Sequence, residues 1–339
     1  MTSSYQMFVG LDIGYRTFTL ATMQVEAKAE AAPSPLPQTE AGFQKLEKLL
    51  LAKGCPPAQV LVVLEATSTY WIRLALHLQQ AGFVVRVVNP AQAHYFALAL
   101  LKTNKNDTLD ALTLAQLAQA LSDKLPIWTA PPAIYHELLQ RLNQRQTFMS
   151  TKQLLLNQLH ALKASAVLIE AVVNRHQALI ESLQTQLEQI QAEIELILSR
   201  KSEWSASIQL LQTIPGFGLW TACHLVVTTL NFSACSEAEE AVSYIGLAPR
   251  EFSSGSSVRK RATIGRSGQP VLRSLLYMAT LSAARHNPII RVFYQRLLAN
   301  GKANKVACLA CARKLVHLAF GIIKHQQAFK ADYAQAAAA

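Results

Sequence analysis

Four carboxylates stand where a chain of this kind would otherwise place apolar or neutral side chains. Asp12 lies inside the run MFVGLDIG, and Glu65 closes the run VLVVLE. An ionised group in such a strand is costly unless it is paired or bound to a metal. Asp107 and Asp110 are three residues apart at the start of a helical run whose apolar positions include Leu109, Leu112, Leu117 and Leu121, so both project to one side. Hard divalent ions such as Mg²⁺ bind through a few carboxylates and keep several waters, and two-metal phosphoryl transfer needs several acids at one point. Taken singly, each acid has a simpler reading. Asp12 could be a turn residue, Asp107 could satisfy the free amides of a helix's first turn, and Glu65 could cap the helix that follows.

A second group of reactive side chains is far away in the chain. Ser253, Ser254, Ser256 and Ser257 cluster in PREFSSGSSVRKR, where Gly255 permits a sharp turn. Serine is a weak nucleophile until its proton is removed or the developing charge is stabilised. No acid is near to do so: from Phe252 to Lys330 the chain has 14 Lys and Arg and no Asp or Glu. The rest of the chain has 18 basic and 21 acidic residues, so the formal charge of +11 is local to this segment. A local positive field is the footprint of a surface that neutralises phosphates. Arg250, Arg259, Lys260, Arg261 and Arg266 beside the serines, and Arg273, Lys302 and Lys305 further on, are the candidate nucleic-acid contacts. On spacing alone, a Ser/Gly loop that only binds phosphate outweighs a nucleophile. An attacking serine would need metal and base from the acidic site, of the same chain or of another.

The elements that must position these groups fall into three segments and a tail. Residues 1 to 130 alternate strand-like runs (MFVGLDIG, FTLATMQV, VLVVLEA, FVVRVVNP) with helices expected over 42 to 52 and 70 to 81, an α/β order. Pro33, Pro35 and Pro37 predict a connecting loop where a third hairpin strand would otherwise stand. Residues 131 to 204 contain no Gly, and Pro only at 131 and 132; Leu and Ile recur at three and four residue spacing, as in a long coiled-coil arm. Residues 205 to 330 read as mostly helical with glycine-marked turns, and residues 331 to 339 as a flexible tail. LLQTIPGFGLWTACHLVV sets Pro215, Gly216 and Gly218 between two apolar helical runs. This is the pattern of a helix-hairpin-helix whose backbone amides approach a phosphate, or of a plain helical hairpin. Cys308 and Cys311 form a lone CxxC in an apolar run with no second pair, which favours buried thiols over zinc. No signal peptide or run of about 18 uninterrupted apolar residues is seen, so the expectation is a cytoplasmic, nucleoid-associated protein with no membrane role.

An Asp on the first strand, a Glu on a later strand and an Asp pair on a helix resemble the layout of RNase H-like metal nucleases, including the RuvC type. The resemblance is closer still to the transposases of insertion-sequence family 110, the bridge-RNA-guided recombinases. It is carried by GLDIG, LEATSTY, the NP ending FVVRVVNP, KTNKNDTLDA, IPGFG, YIGLAPREFSSGSSVRKR, GRSGQPVLRSLLY and NGKANKVACLACARKL, in order over some 300 residues. It implies a RuvC-like domain whose four acids fall on Asp12, Glu65, Asp107 and Asp110 and hold Mg²⁺, with Mn²⁺ able to substitute. A coiled-coil arm and a C-terminal serine transposase domain follow. The family's nucleophilic serine precedes Gly-Ser-Ser, which selects Ser254; Ser253 beside it departs from the pattern and leaves the choice resting on register. The resemblance further implies donor and target DNA as substrates, a structured noncoding guide RNA, and a homo-oligomer, dimer or tetramer, that combines the acids of one protomer with the serine of another.

The expected reaction is therefore attack of Ser254 on a DNA phosphodiester, giving a covalent phosphoserine and then strand exchange without ATP. The main rival is a RuvC-like structure-specific endonuclease in which water attacks and the serine loop only binds. GLDIGYRTFTLA also resembles the first phosphate loop of actin-like sugar kinases, but no second Gly-rich loop follows it. A non-enzymatic architectural DNA-binding protein is the remaining alternative, and it would tolerate Asp12→Asn and Glu65→Gln.

Overall fold

The computed structural model describes residues 5–25, 28–32, 34–66, 69–101, 104, 106–254, 258–264 and 268–331, and the side chains of residues 250–262 lie outside that description. The chain divides into two compact units, residues 1–130 and 131–339.

The first unit is built on one mixed sheet. Strands β1 (Met7–Ile13) and β2 (Thr17–Gln24) form an antiparallel hairpin, with Leu11 opposite Leu20 and Asp12 opposite Thr19. Two fragments, β3 (Glu30–Ala31) and β4 (Leu36–Pro37), pair with the outer edge of β2. The proline-rich stretch is thus not wholly a loop: it splits the third strand into two pieces on a sheet edge, where a residue without an N–H is tolerated. Helix α1 (Glu40–Leu51) follows, then β5 (Val60–Glu65), α2 (Trp71–Gln80) and β6 (Val84–Val88). β5 runs parallel to β1 and β6 parallel to β5, which gives the order β3-β2-β1-β5-β6. The result is a mixed sheet with helices on both faces, an α/β unit. Side chains alternate across it. Met7, Val9, Leu11, Val60, Val62 and Leu64 pack with α1 and α2 on one face. Phe8, Leu61, Val63 and Val88 pack with helices α3 (Pro90–Ala99) and α4 (Asp107–Ala120) on the other.

The second unit is mostly helical. Helices α5 (Ala133–Lys163) and α6 (Glu170–Ser199) lie against each other as a long hairpin. At its base, Leu138, Leu142, Ile190, Ile194 and Ile197 enter the same core as the helices that follow. Ion pairs Arg141–Glu193 at 2.6 Å and Arg200–Glu137 at 2.8 Å flank that base. Helices α7 (Glu203–Gln212), α8 (Leu219–Thr229) and α9 (Ala238–Ile245) come next. A hairpin of β7 (Pro249–Ser254) and β8 (Val258–Ile264) precedes α10 (Pro270–His286), α11 (Pro288–Ala299) and α12 (Asn304–His325). The two strands interrupt a segment expected to be helical with glycine turns. Among the described residues α12 alone is long and apolar enough to cross a membrane, yet half of its apolar window is buried inside the unit. Cys311, Ala312, Leu315, Val316 and Ala319 on it are core residues. All five cysteines are buried thiols, and burial pushes Cys223 up to about 12 and Cys311 up to about 11.

Candidate functional site

The acids of the first unit are brought to one end and one face of its sheet by an unusually close helix. Gly10 lies on β1 where a Cβ would come within 2.1 Å of the Ala111 carbonyl oxygen and 2.3 Å of the Ala115 nitrogen. Without a side chain at residue 10, α4 lies directly on the strand. The strand alternation that turns Gly10 to α4 turns Asp12 the same way, and Glu65 follows Leu61 and Val63 onto the same face. The last pair in the register between the two strands is Leu11 with Leu64, so Asp12 and Glu65 are neighbours at the carboxyl ends of parallel strands. Helix α4 packs its later residues Leu114, Leu117 and Ala118 with Phe8 and Tyr5, at the opposite end of β1. Its first turn therefore lies at the acid end. Asn106 caps that turn, its Oδ1 accepting from the Leu109 amide at 2.7 Å. Asp107 is exposed there and Asp110 half-buried, one residue before Ala111.

Further along the sheet, Arg86 on β6 is 6% exposed, stands opposite Val63, and donates to the Tyr5 hydroxyl at 3.3 Å. Among the described residues, no group of three or more His, Cys, Asp or Glu is arranged to hold a metal ion. The donor set still fits a hard divalent ion, because all four side chains are carboxylates at one end of one face and no soft ligand stands among them.

Two exposed tyrosines next to these acids were not foreseen from sequence. Tyr15 follows Asp12 in the β1–β2 turn, and Tyr70 stands at the start of α2, after Glu65. Their ring centroids are 5.3 Å apart at 59°. Neither residue type nor spacing marks them, since the pair forms between segments 55 residues apart.

In the second unit, Ser253 and Ser254 close strand β7, opposite Arg259 and Val258 of β8. Gly255, expected to make the turn, lies outside the described residues, as do Arg266 and residues 332–339 of the tail. The side chains of Ser254, Arg250, Arg259, Lys260 and Arg261 are likewise not described, though their backbone forms the hairpin. Arg273 is half-buried on α10, while Lys302 is exposed in the turn between α11 and α12 and Lys305 in the first turn of α12. Gly216, in the turn between α7 and α8, has φ +105° and lies against the Ala279 oxygen and Ala283 of α10, whereas nothing stands within 4 Å of a Cβ at Gly218. The first glycine thus serves packing, and the open N-terminus of α8 starts at the second.

At the foot of the hairpin a cavity of about 410 Å³ opens between α5, α8, α9 and the start of α10. Tyr135, Asn143, His224, Tyr244 and Gln269 are among its lining residues. Burial, with the nearby Arg145 charge, pushes the His224 imidazole down to about 4, so it is neutral at physiological pH. Arg145 itself lies over the Trp220 ring, 3.7 Å from its centroid. Burial raises the phenols of Tyr135 and Tyr244.

Comparison with known proteins matches both units to one family. Residues 9–165 match the DEDD transposase model of the IS110 family, and residues 208–295 match the transposase model of the IS116/IS110/IS902 family. The pilin gene-inverting protein of Moraxella bovis is 28% identical over 95% of this chain and 97% of its own length. The transposase for insertion sequence element IS1328 of Yersinia enterocolitica is 24% identical over 92% of this chain and 95% of its own length. Among solved structures, T. thermophilus RuvC in complex with a Holliday junction substrate aligns over 37% of this chain and all of its own, at 14% identity and a TM-score of 0.27. With two models of one family matched in order along most of its length, the chain belongs to the IS110 family of transposases.

Proposed function

We propose that this transposase cuts and rejoins DNA through a covalent link to Ser254, with assistance from Asp12, Glu65, Asp107 and Asp110. The observation that carries the acid half is the seating of α4 on Gly10, which sets an Asp pair at the strand ends bearing Asp12 and Glu65. The serine half rests on the position of Ser254 at the end of β7, in a segment without a single acid. A divalent ion held by the four carboxylates, Mg²⁺ or Mn²⁺, would supply polarisation of the phosphate and stabilisation of its charge. In the step itself, the Ser254 Oγ–P bond forms as the P–O3′ bond breaks. The serine proton passes to a carboxylate of the acid set, of this chain or of a second copy, and is returned through solvent to the departing 3′ oxygen, which leaves as a hydroxyl. One phosphodiester replaces another, so rejoining to a second strand needs no ATP. Arg250, Arg259, Lys260, Arg261 and Arg266, with Arg273, Lys302 and Lys305, bind the phosphates on either side.

Selection of donor and target by a structured guide RNA, assembly into a homo-oligomer, supercoiling of the α5–α6 hairpin and phosphate binding at the α7–α8 turn complete this reading. They rest on the family resemblance and on the heptad and glycine patterns. End-group analysis of cleaved DNA tests the reaction. The account expects free 3′-hydroxyl ends and 5′ ends blocked by protein; free 5′-phosphate ends from the first turnover would show that water attacks instead.

A further inference from the structure

The tyrosine pair beside the acids has the properties of a base-stacking platform. Tyr15 is 71% exposed and Tyr70 40%, so the two rings touch each other yet leave much of their surface to solvent. Their backbones are tied together by one residue: the Gln38 amide donates to the Arg16 carbonyl at 2.8 Å, and the Gln38 side-chain nitrogen donates to the Tyr70 carbonyl at 2.6 Å. The turn is closed by the Gly14 amide donating to the Thr17 carbonyl at 2.9 Å. A pair held from behind in this way is preorganised, so little ordering is required when a third ring arrives. Its place matters as much as its exposure. Tyr15 is three residues beyond Asp12, which at about 3.3 Å per residue puts it within about 10 Å of the acid edge. Arg16, exposed at the same turn, offers a cation to a phosphate beside the ring.

We propose that Tyr15 and Tyr70 stack an unpaired base of the DNA strand whose phosphate is presented to the acids, with Arg16 holding an adjacent phosphate. This deepens the reading above by naming what the acid site binds beyond the scissile group. Every base has a π face, so such stacking is sequence-tolerant, as suits an enzyme whose target choice is made elsewhere. The tyrosines are positioning residues: they fix one nucleotide so that its neighbour's phosphate lies over the carboxylates.

The test uses the full chain in EDTA, so that neither cleavage nor the serine enters the result. The probe is a short single-stranded oligodeoxynucleotide with one 2-aminopurine, read by fluorescence quenching and by anisotropy. The wild type is expected to quench the probe. Tyr15→Ala is expected to remove the quench and raise Kd roughly ten- to a hundredfold, as loss of one base-aromatic stack does. Tyr15→Phe should keep Kd within about twofold, because the ring and not the hydroxyl acts. Tyr70→Ala should behave like Tyr15→Ala; should it fail to fold, Tyr15→Ala, at an exposed turn, decides alone. The proposal is overturned if Tyr15→Ala quenches like the wild type, if Tyr15→Phe loses as much as Tyr15→Ala, or if the RNA oligonucleotide of the same sequence binds tighter than the DNA. A chain that stacks DNA in EDTA yet forms no covalent adduct would sink the serine mechanism and leave this inference standing.

Discussion

At the scale of single residues, two positions carry consequences out of proportion to their size. At Gly10 the obstacle to a side chain is the backbone of α4 at Ala111 and Ala115, which cannot swing aside like a flexible side chain. Gly10→Ala is expected to destabilise the first unit by about 3 kcal/mol, the upper range for overpacking a close contact. A shift in the chemical-denaturation midpoint measures this, and activity should fall with it because the acids on α4 move. His224 gives a pH signature. Its folded value of about 4 lies below the usual 6.5, so between these values the unfolded chain binds the extra proton and stability rises with pH. The contribution is complete above pH 6.5 and is lost as pH falls towards 4. Replacing His224 with Gln should flatten that limb by roughly 2 kcal/mol relative to the wild type, read from denaturation midpoints at pH 7 and pH 4.5. Equal pH dependence in the two proteins would show that the imidazole is not desolvated.

At the scale of elements, glycine turns separate packing from ligand roles. Gly216 combines a positive φ with contacts under 3 Å to α10, so Gly216→Ala should lower stability by about 2 kcal/mol. Gly218 has φ −93° and open space around it, so Gly218→Ala should change stability by no more than about 0.5 kcal/mol. A larger effect of Gly218→Ala on DNA affinity than on the melting midpoint would place a phosphate at that turn.

Much of the scaffold was legible in the chain. β1, β2, β5 and β6 were plain because their apolar runs are short, β-branched and bounded by turn residues, and α1 and α2 because their apolar stripes are periodic. The split third strand was hidden by Pro33, Pro35 and Pro37, which mark an edge as readily as a loop. The β7–β8 hairpin was missed because Arg250, Arg259, Lys260 and Arg261 replace the apolar alternation by which strands are recognised. Asp12 and Glu65 stand out in the chain because a charge in an apolar strand is conspicuous. Tyr15 and Tyr70 do not stand out in the sequence, since their rings meet only once β1 and β5 pair and Gln38 bridges the segments that follow. His224 was hidden inside LWTACHLVV, where one imidazole reads as a core residue.

At the scale of the whole molecule, the proposed chemistry draws on two units: acids on an α/β sheet, and serines on a basic hairpin in a helical unit. The account requires that neither half reacts alone. Trapping on a nicked suicide DNA in Mg²⁺, with mass-spectrometric assignment of the adducted peptide, tests this most directly for the wild type, Ser253→Ala, Ser254→Ala and Asp12→Asn. The predicted result is a nucleotide on Ser254 within the tryptic peptide Glu251–Arg259, kept in Ser253→Ala, absent in Ser254→Ala, and reduced at least a hundredfold in Asp12→Asn, within the range general for loss of one catalytic group. An adduct that persists at wild-type yield in Ser254→Ala, or in Asp12→Asn, would contradict the account.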